Sequence, residues 1–259
     1  MFTMLAGMAA VKTPTPTDQD PAAGSPTRRE RVHAQTRDEI LRAAQALVAD
    51  GEELTLRAVA RAVGMTAPAL YRYADSLDDL LDLLGGSLYD ELVAHLLQAR
   101  DAQAKGDLPA RLMSMAWAFR GWALDHRHEY GLLFANPLNT ERLHDPAAAG
   151  GCTHEAGQRF GTVFAEVFAA MWHTGVIRPP DLSGISPELL RQLDEADEPM
   201  AGLPLEVRYL YVRSWARLSG TVTLEAFGHL HWAMADTSTL FESMLADCAA
   251  ELGLPAPPL

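Results

Sequence analysis

Leucine falls at positions 77, 80, 81, 84, 88, 92 and 96 of the chain. Steps of three and four put these side chains on one face of a helix, and that face must be covered by other parts of the molecule. Ser76 and Asp79 have the Ser-x-x-acid spacing of a helix start and mark where it begins. The same period recurs upstream. Ile40, Leu41, Ala44, Leu47 and Val48 share a face that ends at Gly51. Leu56, Val59, Ala60 and Val63 share another between Thr55, an N-cap residue, and Gly64. Thr66 can cap a short third helix running from Ala67 to about Tyr73, with Pro68 in its first turn where a missing donor costs nothing. Further helices are expected at about 109–127, 128–135, 156–174, 205–230 and 237–252. No stretch alternates with period two, so the expected fold class is all-α.

The 259 residues are 48% hydrophobic, enough core material for one large or two small domains. Lys12 to Pro26 reads KTPTPTDQDPAAGSP and offers almost nothing to bury. Residues 1–30 are therefore expected to be a disordered tail. A helical head is expected over 31–76 and a helical core over 77–259. Asn136 to about Glu155 and Arg178 to about Pro204 read as two long loops rich in Pro, Gly and acidic residues, able to cover a site. Cys152 and Cys248 are too few and too far apart for a disulfide framework or a four-ligand zinc site, which points to a reducing compartment. No apolar run approaches the roughly 20 residues that span a bilayer. Met1 to Val11 lacks the basic start and cleavage site of a secretory signal. The expectation is a soluble, cytoplasmic protein.

Charge is distributed unevenly. Thr27 to Ala74 carries eight basic and six acidic residues, a local +2 inside a chain of net charge −13. A basic island in an acidic protein fits a localised phosphate contact, against the alternative of chance surface variation. The helices on either side of Gly64 strengthen the first reading. Two short helices joined at a glycine describe a helix-turn-helix, whose second helix enters the major groove of DNA.

The run TRDEILRAAQALVADGEELTLRAVARAVGMTAPALYRYADSLDDLLDLL, Thr36 to Leu84, resembles the DNA-binding domain of TetR/AcrR-type transcriptional regulators. The resemblance rests on four features in order: an I-L-x-A-A helix, T-x-x-x-V-A-x-x-x-G, T-x-x-x-L-Y-x-Y, and a leucine-rich fourth helix. It implies a three-helix DNA-binding head, a helical effector-binding core, and a homodimer built by the last two helices. WALDHRHEYGLLFANP, Trp122 to Pro137, is similar to a segment of many such cores. WARLSG resembles the Trp-His-Gly subgroup, with Ser219 where that subgroup has histidine. The head departs from the family at Ala74, where phenylalanine is common, and at Leu77, where lysine offers a phosphate contact. The second departure implies a smaller electrostatic share of DNA affinity.

The residues expected to meet DNA are Thr36, Arg37, Arg57, Thr66, Ala67, Pro68, Tyr71, Arg72 and Tyr73. Thr36 with Arg37, and Arg57, are placed at helix starts, which favour anions; an ordinary surface charge is the alternative for Arg37. Thr66, Ala67 and Pro68 open the recognition helix, where Thr66 serves equally well as a cap. Tyr71 and Tyr73 match family positions whose ring packs on the head while the hydroxyl reaches a phosphate, and packing alone is the alternative for Tyr71. Arg72 lies between them as a base or phosphate contact, or as a solvated arginine.

In the core, Trp117, Trp122, His126, Tyr130, Phe134, Phe164, Met171, Trp172 and Trp215 are candidates to line an apolar effector pocket, although aromatics at helical spacing also build plain cores. Val207, Tyr211, Leu218 and Val222 stripe one late helix, and Phe241, Met244, Leu245 and Cys248 stripe the last. Paired with their symmetry mates these stripes would make an isologous four-helix bundle, and the alternative is a face buried within one chain. His126 with His128, and His229 with His231, are spaced by two and point apart on a helix, so no metal or other cofactor is expected. The expected function is a homodimeric regulator, a repressor released from a palindromic DNA operator by a small apolar effector. Two alternatives remain: an all-α enzyme using His126 or His154 in the core, and a binding module whose head no longer reads DNA.

Overall fold

The computed structural model describes residues 27–136, 150–196 and 199–254. Its chain divides into two units, residues 1–36 and 37–259. Among the described residues there are helices and no strands. Four helices, α1 (Arg28–Ala49), α2 (Leu56–Ala62), α3 (Ala67–Leu70) and α4 (Leu77–Asp101), cover the head and the helix that leaves it. Six more follow: α5 (Leu108–Asp125), α6 (Arg127–Phe134), α7 (Cys152–His173), α8 (Pro187–Glu195), α9 (Leu205–Ala226) and α10 (Ser238–Glu251). No helix among the described residues is long and apolar enough to cross a membrane.

Local chemistry sets most of the boundaries. The Thr55 hydroxyl accepts the Ala58 N–H at 3.1 Å and starts α2, and Ser76 Oγ accepts the Asp79 N–H at 3.0 Å and starts α4. Gly51 and Gly64 stand at φ of 71° and 69°, the left-handed conformation that turns the chain after α1 and α2.

Several boundaries differ from the sequence expectation. Helix α1 begins at Arg28, so residues 28–30 are not tail; the rest of the expected tail, residues 1–26, lies outside the described residues. Thr36 and Arg37 consequently sit well inside α1 rather than at its start, and a helix N-terminus attracts no anion there. Helix α3 ends at Leu70, and Tyr71 to Tyr73 form a turn. Helix α7 starts at Cys152, ahead of the expected 156, and α9 ends at Ala226, short of 230. The second expected loop contains α8, which opens on a proline in its first turn, as a helix start can. Arg208 anchors this region, its guanidinium donating to the carbonyls of Leu193, Asp194, Ala196 and Leu203 at 2.8 to 2.9 Å. The Leu193, Asp194 and Ala196 carbonyls at the end of α8 have no partner within the helix, so a cation there satisfies them. Most of the first expected loop, residues 137–149, lies outside the described residues.

One apolar core runs through the second unit. Ile40 and Ala44 of α1, Val59 and Ala60 of α2, and Leu70 of α3 are buried together with Leu80, Leu84, Leu88, Leu92 and Leu96 of α4. The leucine face of α4 thus serves both the head and the core. Between α4 and α7 the fit is close. A Cβ on Gly85 would collide with Thr153 Oγ1, and one on Gly86 would stand 2.7 Å from Cys152 Cβ. Asp82, one turn earlier, accepts the backbone N–H groups of Cys152 and Thr153 at 2.8 and 3.1 Å, while Thr153 Oγ1 donates to the Asp82 carbonyl at 2.9 Å. The residue at the start of α7 is Gly151, which has no side chain to cap it, so Asp82 supplies the cap from another helix.

Candidate nucleic-acid interface and core cavity

In the head, burial separates the candidates by face. Leu70 and Ala74 point inward, and Ala74 occupies the head core where the resembling family often has phenylalanine. Arg57, Thr66, Pro68 and Arg72 are exposed, and Tyr71 keeps 47% of its surface exposed despite its size. These residues stand on the helix-turn-helix formed by α2 and α3, with Arg57 in the first turn of α2. Ala67 is half-buried, and Tyr73 is half-buried against the head core. Thr66 has the extended backbone of an N-cap, φ −78° and ψ 148°, but its side chain makes no capping hydrogen bond. The expected hydroxyl cap is therefore absent; the Ala69 and Leu70 N–H groups turn back to the Thr66 backbone carbonyl instead.

Thr36 and Arg37 make local and lateral contacts. The Thr36 hydroxyl donates to the Val32 carbonyl at 3.0 Å, one turn back in α1. Arg37 Nη2 lies 3.9 Å from Cys152 Sγ, at the start of α7. Beyond the recognition turn, Leu77 is 39% exposed and is followed by Asp78 and Asp79 in the first turn of α4, so this helix start presents apolar and acidic groups. The C-terminal end of α1 meets α6, where the His128 imidazole lies 2.9 Å from the Ala49 carbonyl through Nδ1.

The core holds a cavity of about 500 Å³ between α5, α7, α9 and α10. Trp117, Phe164 and Trp215 line it, as expected from the sequence. Trp122, His126, Tyr130, Phe134, Met171 and Trp172 are not among its lining residues, and the reason is packing. Phe119, Tyr130, Phe134 and Phe160 interlock with centroids 4.8 to 5.9 Å apart, a solid aromatic cluster that Trp215 closes on the cavity side at 5.4 Å from Phe160. Tyr130 is further fixed by a 2.8 Å hydrogen bond between its hydroxyl and that of Thr223. Trp122 stacks on His126 at 5.0 Å, and the His126 ring lies 3.0 Å from the Trp122 carbonyl through Nδ1. Met171 is fully buried, and Trp172 packs against the core from outside. Sequence reasoning missed Gln103, Asp107, Met113, Ser214 and Phe168 as lining residues, because periodicity shows that a side chain is buried and not whether its neighbour is another side chain or a void.

The late-helix stripes pack largely within the single chain. Val207, Val222 and Phe241 are fully buried within the single chain, and Tyr211, Leu218, Leu245 and Cys248 are at most 8% exposed. Tyr211, Leu218, Met244, Leu245 and Cys248 line the cavity. Within one protomer these faces are turned toward the core and the cavity, with Met244 half-buried. Tyr211 donates its hydroxyl to the Gly161 carbonyl at 3.0 Å, and burial pushes its phenol well above the ordinary tyrosine range. Burial likewise pushes the Cys248 thiol up. At the edge of the cavity Arg120 lies 5.4 Å over the Trp117 ring and 5.1 Å over Phe241. Its guanidinium is held bidentately by Glu225 at 2.8 and 2.5 Å and also donates to Ser238 Oγ at 3.1 Å, while Thr237 donates to the same carboxylate. This network ties α5 to α9 and α10. Among the described residues no group of three or more His, Cys, Asp or Glu side chains could hold a metal ion.

Comparison with known proteins places both halves. Residues 40–84 match the family described as bacterial regulatory proteins, tetR family, and residues 112–248 match the tetracyclin repressor-like C-terminal domain. The HTH-type transcriptional regulators Rv1816 of Mycobacterium tuberculosis and Mb1846 of Mycobacterium bovis are each 32% identical over 177 residues, covering 68% of this chain and 73% of theirs. The crystal structure of SCO4313 superposes with a TM-score of 0.64 at 27% identity, covering 86% of this chain and all of that one. A protein of unknown function from Rhodococcus sp. RHA1 shares the fold, with a TM-score of 0.60 at 24% identity over 85% of this chain and 95% of its own.

Proposed function

We propose a function that starts from one fact: the chain belongs to the TetR family of bacterial transcriptional regulators, with a helix-turn-helix DNA-binding domain. In our reading it is a cytoplasmic homodimeric repressor that leaves a palindromic operator when a small, largely apolar effector fills the core cavity. Residues 31–76 would be the DNA-binding head, and 77–259 the effector-binding and dimerisation core. The two recognition helices would enter successive major grooves about 34–36 Å apart.

The observation that carries this reading is the outward face of the helix-turn-helix. Arg57, Thr66, Tyr71 and Arg72 are exposed there while Leu70 and Ala74 hold the turn from beneath. Thr66, its hydroxyl not used for capping, and Pro68 would meet base edges or phosphates, with Arg72 as the principal contact. Ala67 and Tyr73, half-buried, would shape that face more than touch DNA. Thr36 and Arg37 would contribute least, since they lie inside α1. For the dimer, exposed positions are Ala216, Gly220 and Leu224 of α9 with Leu240, Ser243 and Ala250 of α10, and Ala246 is half-buried between the last two. Small side chains there allow two helices to approach closely in an isologous bundle. Effector coupling of about 1–3 kcal/mol would suffice for release.

The test is footprinting of the purified protein on the DNA upstream of its own gene, with a salt titration. A protected palindrome is expected, and Arg72→Ala should weaken binding and lower the salt slope by about one. An effector that occupies the cavity and leaves operator affinity unchanged would refute the regulatory part.

A further inference from the structure

We infer that the cavity between α5, α7, α9 and α10 takes a lipophilic ligand that carries no anionic group, a neutral or cationic molecule and not an acid. This rests on the reading of that cavity as the effector site. The walls are apolar: Phe164 and Phe168 from α7, Trp215 and Leu218 from α9, Met244 and Leu245 from α10. About 500 Å³ is room for a small organic molecule.

The lining contains no lysine, arginine or histidine among the described residues. Its ionisable groups are Asp107, Tyr211 and Cys248. Tyr211 is a neutral phenol with its proton committed to the Gly161 carbonyl, and Cys248 is a buried thiol. Among the described lining residues Asp107 is therefore the fixed charge. It stands exposed before α5, where its Oδ1 accepts the Ala110 N–H at 3.0 Å, so the carboxylate already answers the positive end of that helix. The guanidinium groups close by do not line the cavity. Arg120, behind Trp117, is paired with Glu225, and Arg213 and Arg217 share Glu251 at 2.8 and 2.7 Å. A carboxylate entering this cavity would shed its water against apolar walls, find no cation among the lining residues, and meet Asp107 at the rim. A neutral polar group meets none of these penalties and can use Gln103 or Ser214, while a cation gains Asp107.

The experiment uses the full chain at pH 7 and three probes with one tail: decyltrimethylammonium, 1-decanol and decanoate, each below its micellar concentration. Trp117 and Trp215 line the cavity, so their fluorescence reports occupancy. The cation and the alcohol should each bind about ten-fold tighter than decanoate or better. Asp107→Asn, which keeps a good N-cap, should shrink the cation-to-decanoate ratio by about three-fold or more. Met244→Trp and, independently, Ser214→Phe fill the cavity and should abolish quenching by all three probes. Decanoate binding as tightly as decanol would overturn the charge argument and leave the cavity standing as a ligand site. No binding by any probe to the folded protein, or binding that survives both filling variants, would instead overturn the cavity as the effector site.

Discussion

Replacing Asp82 by alanine would remove the cap of α7 without touching α7 itself. Two helix-start N–H groups, those of Cys152 and Thr153, lose a carboxylate acceptor at 2.8 and 3.1 Å. Loss of an N-cap acceptor costs about 0.5–2 kcal/mol, and loss of a negative charge at a helix start adds about 0.3–1 kcal/mol. Gly151 offers no side chain as a substitute, so the expected loss lies near the top of the combined range, about 2–3 kcal/mol. For a chain of this length that lowers Tm by roughly 5–10 °C. Asp82→Asn keeps an acceptor and loses the charge, and should cost about 1 kcal/mol or less. Urea unfolding followed by tryptophan fluorescence reads both variants. The ordering matters as much as the size. If the alanine variant loses under about 0.5 kcal/mol, or if asparagine is no better than alanine, the carboxylate is not capping α7 and the reasoning fails.

The glycines of the helices should respond in opposite senses: Gly86→Ala puts a Cβ 2.7 Å from that of Cys152 and should destabilise by about 1–3 kcal/mol, whereas Gly121→Ala, with nothing within 4 Å, should stabilise by about 0.5–1 kcal/mol in the same urea titration. Arg120→Met leaves the buried Glu225 carboxylate without its cation and should cost about 3–5 kcal/mol; Arg120→Met combined with Glu225→Leu should recover most of it, as a double-mutant cycle would record. Tyr211 has a folded-state pKa raised by burial, so its stabilising contribution is complete below the ordinary tyrosine value of about 10 and is lost as pH rises through the folded value. Thermal melts across the alkaline range should therefore fall more steeply for the native chain than for Tyr211→Phe.

The parts of the fold encoded by neighbours in sequence were readable in advance. Thr55, Ser76, Gly51 and Gly64 act through atoms three or four residues away, so their spacing carries the information. The cap of α7 does not work that way: Asp82 is 70 residues from Cys152, and nothing local marks it. The late-helix stripes suggest a dimer seam from sequence because periodicity reports that a face is covered without reporting by what. Val207 and Phe241 are covered by their own chain. Helix α8 is masked in the sequence because the prolines, glycines and acids around PELLRQLDE outweigh the three leucines within it. The cavity was half legible for a related reason. Trp117, Phe164 and Trp215 could be chosen by type, but Asp107 and Gln103 stand at helix ends where polar residues are ordinary.

The tight seat of Gly85 and Gly86 against Thr153 and Cys152 would act on α4, in the proposed regulation, as a fulcrum acts on a beam. With about 1.5 Å of rise per residue, the arm from Gly85 back to Leu77 is roughly 12 Å and the arm from Gly86 on to Asp101 roughly 22 Å. The long arm ends beside Gln103, on the cavity wall, and the short arm carries the start of α4 next to the recognition turn. A tilt about that point would deliver at the head about half the displacement made at the cavity, in the opposite direction and with the force correspondingly multiplied.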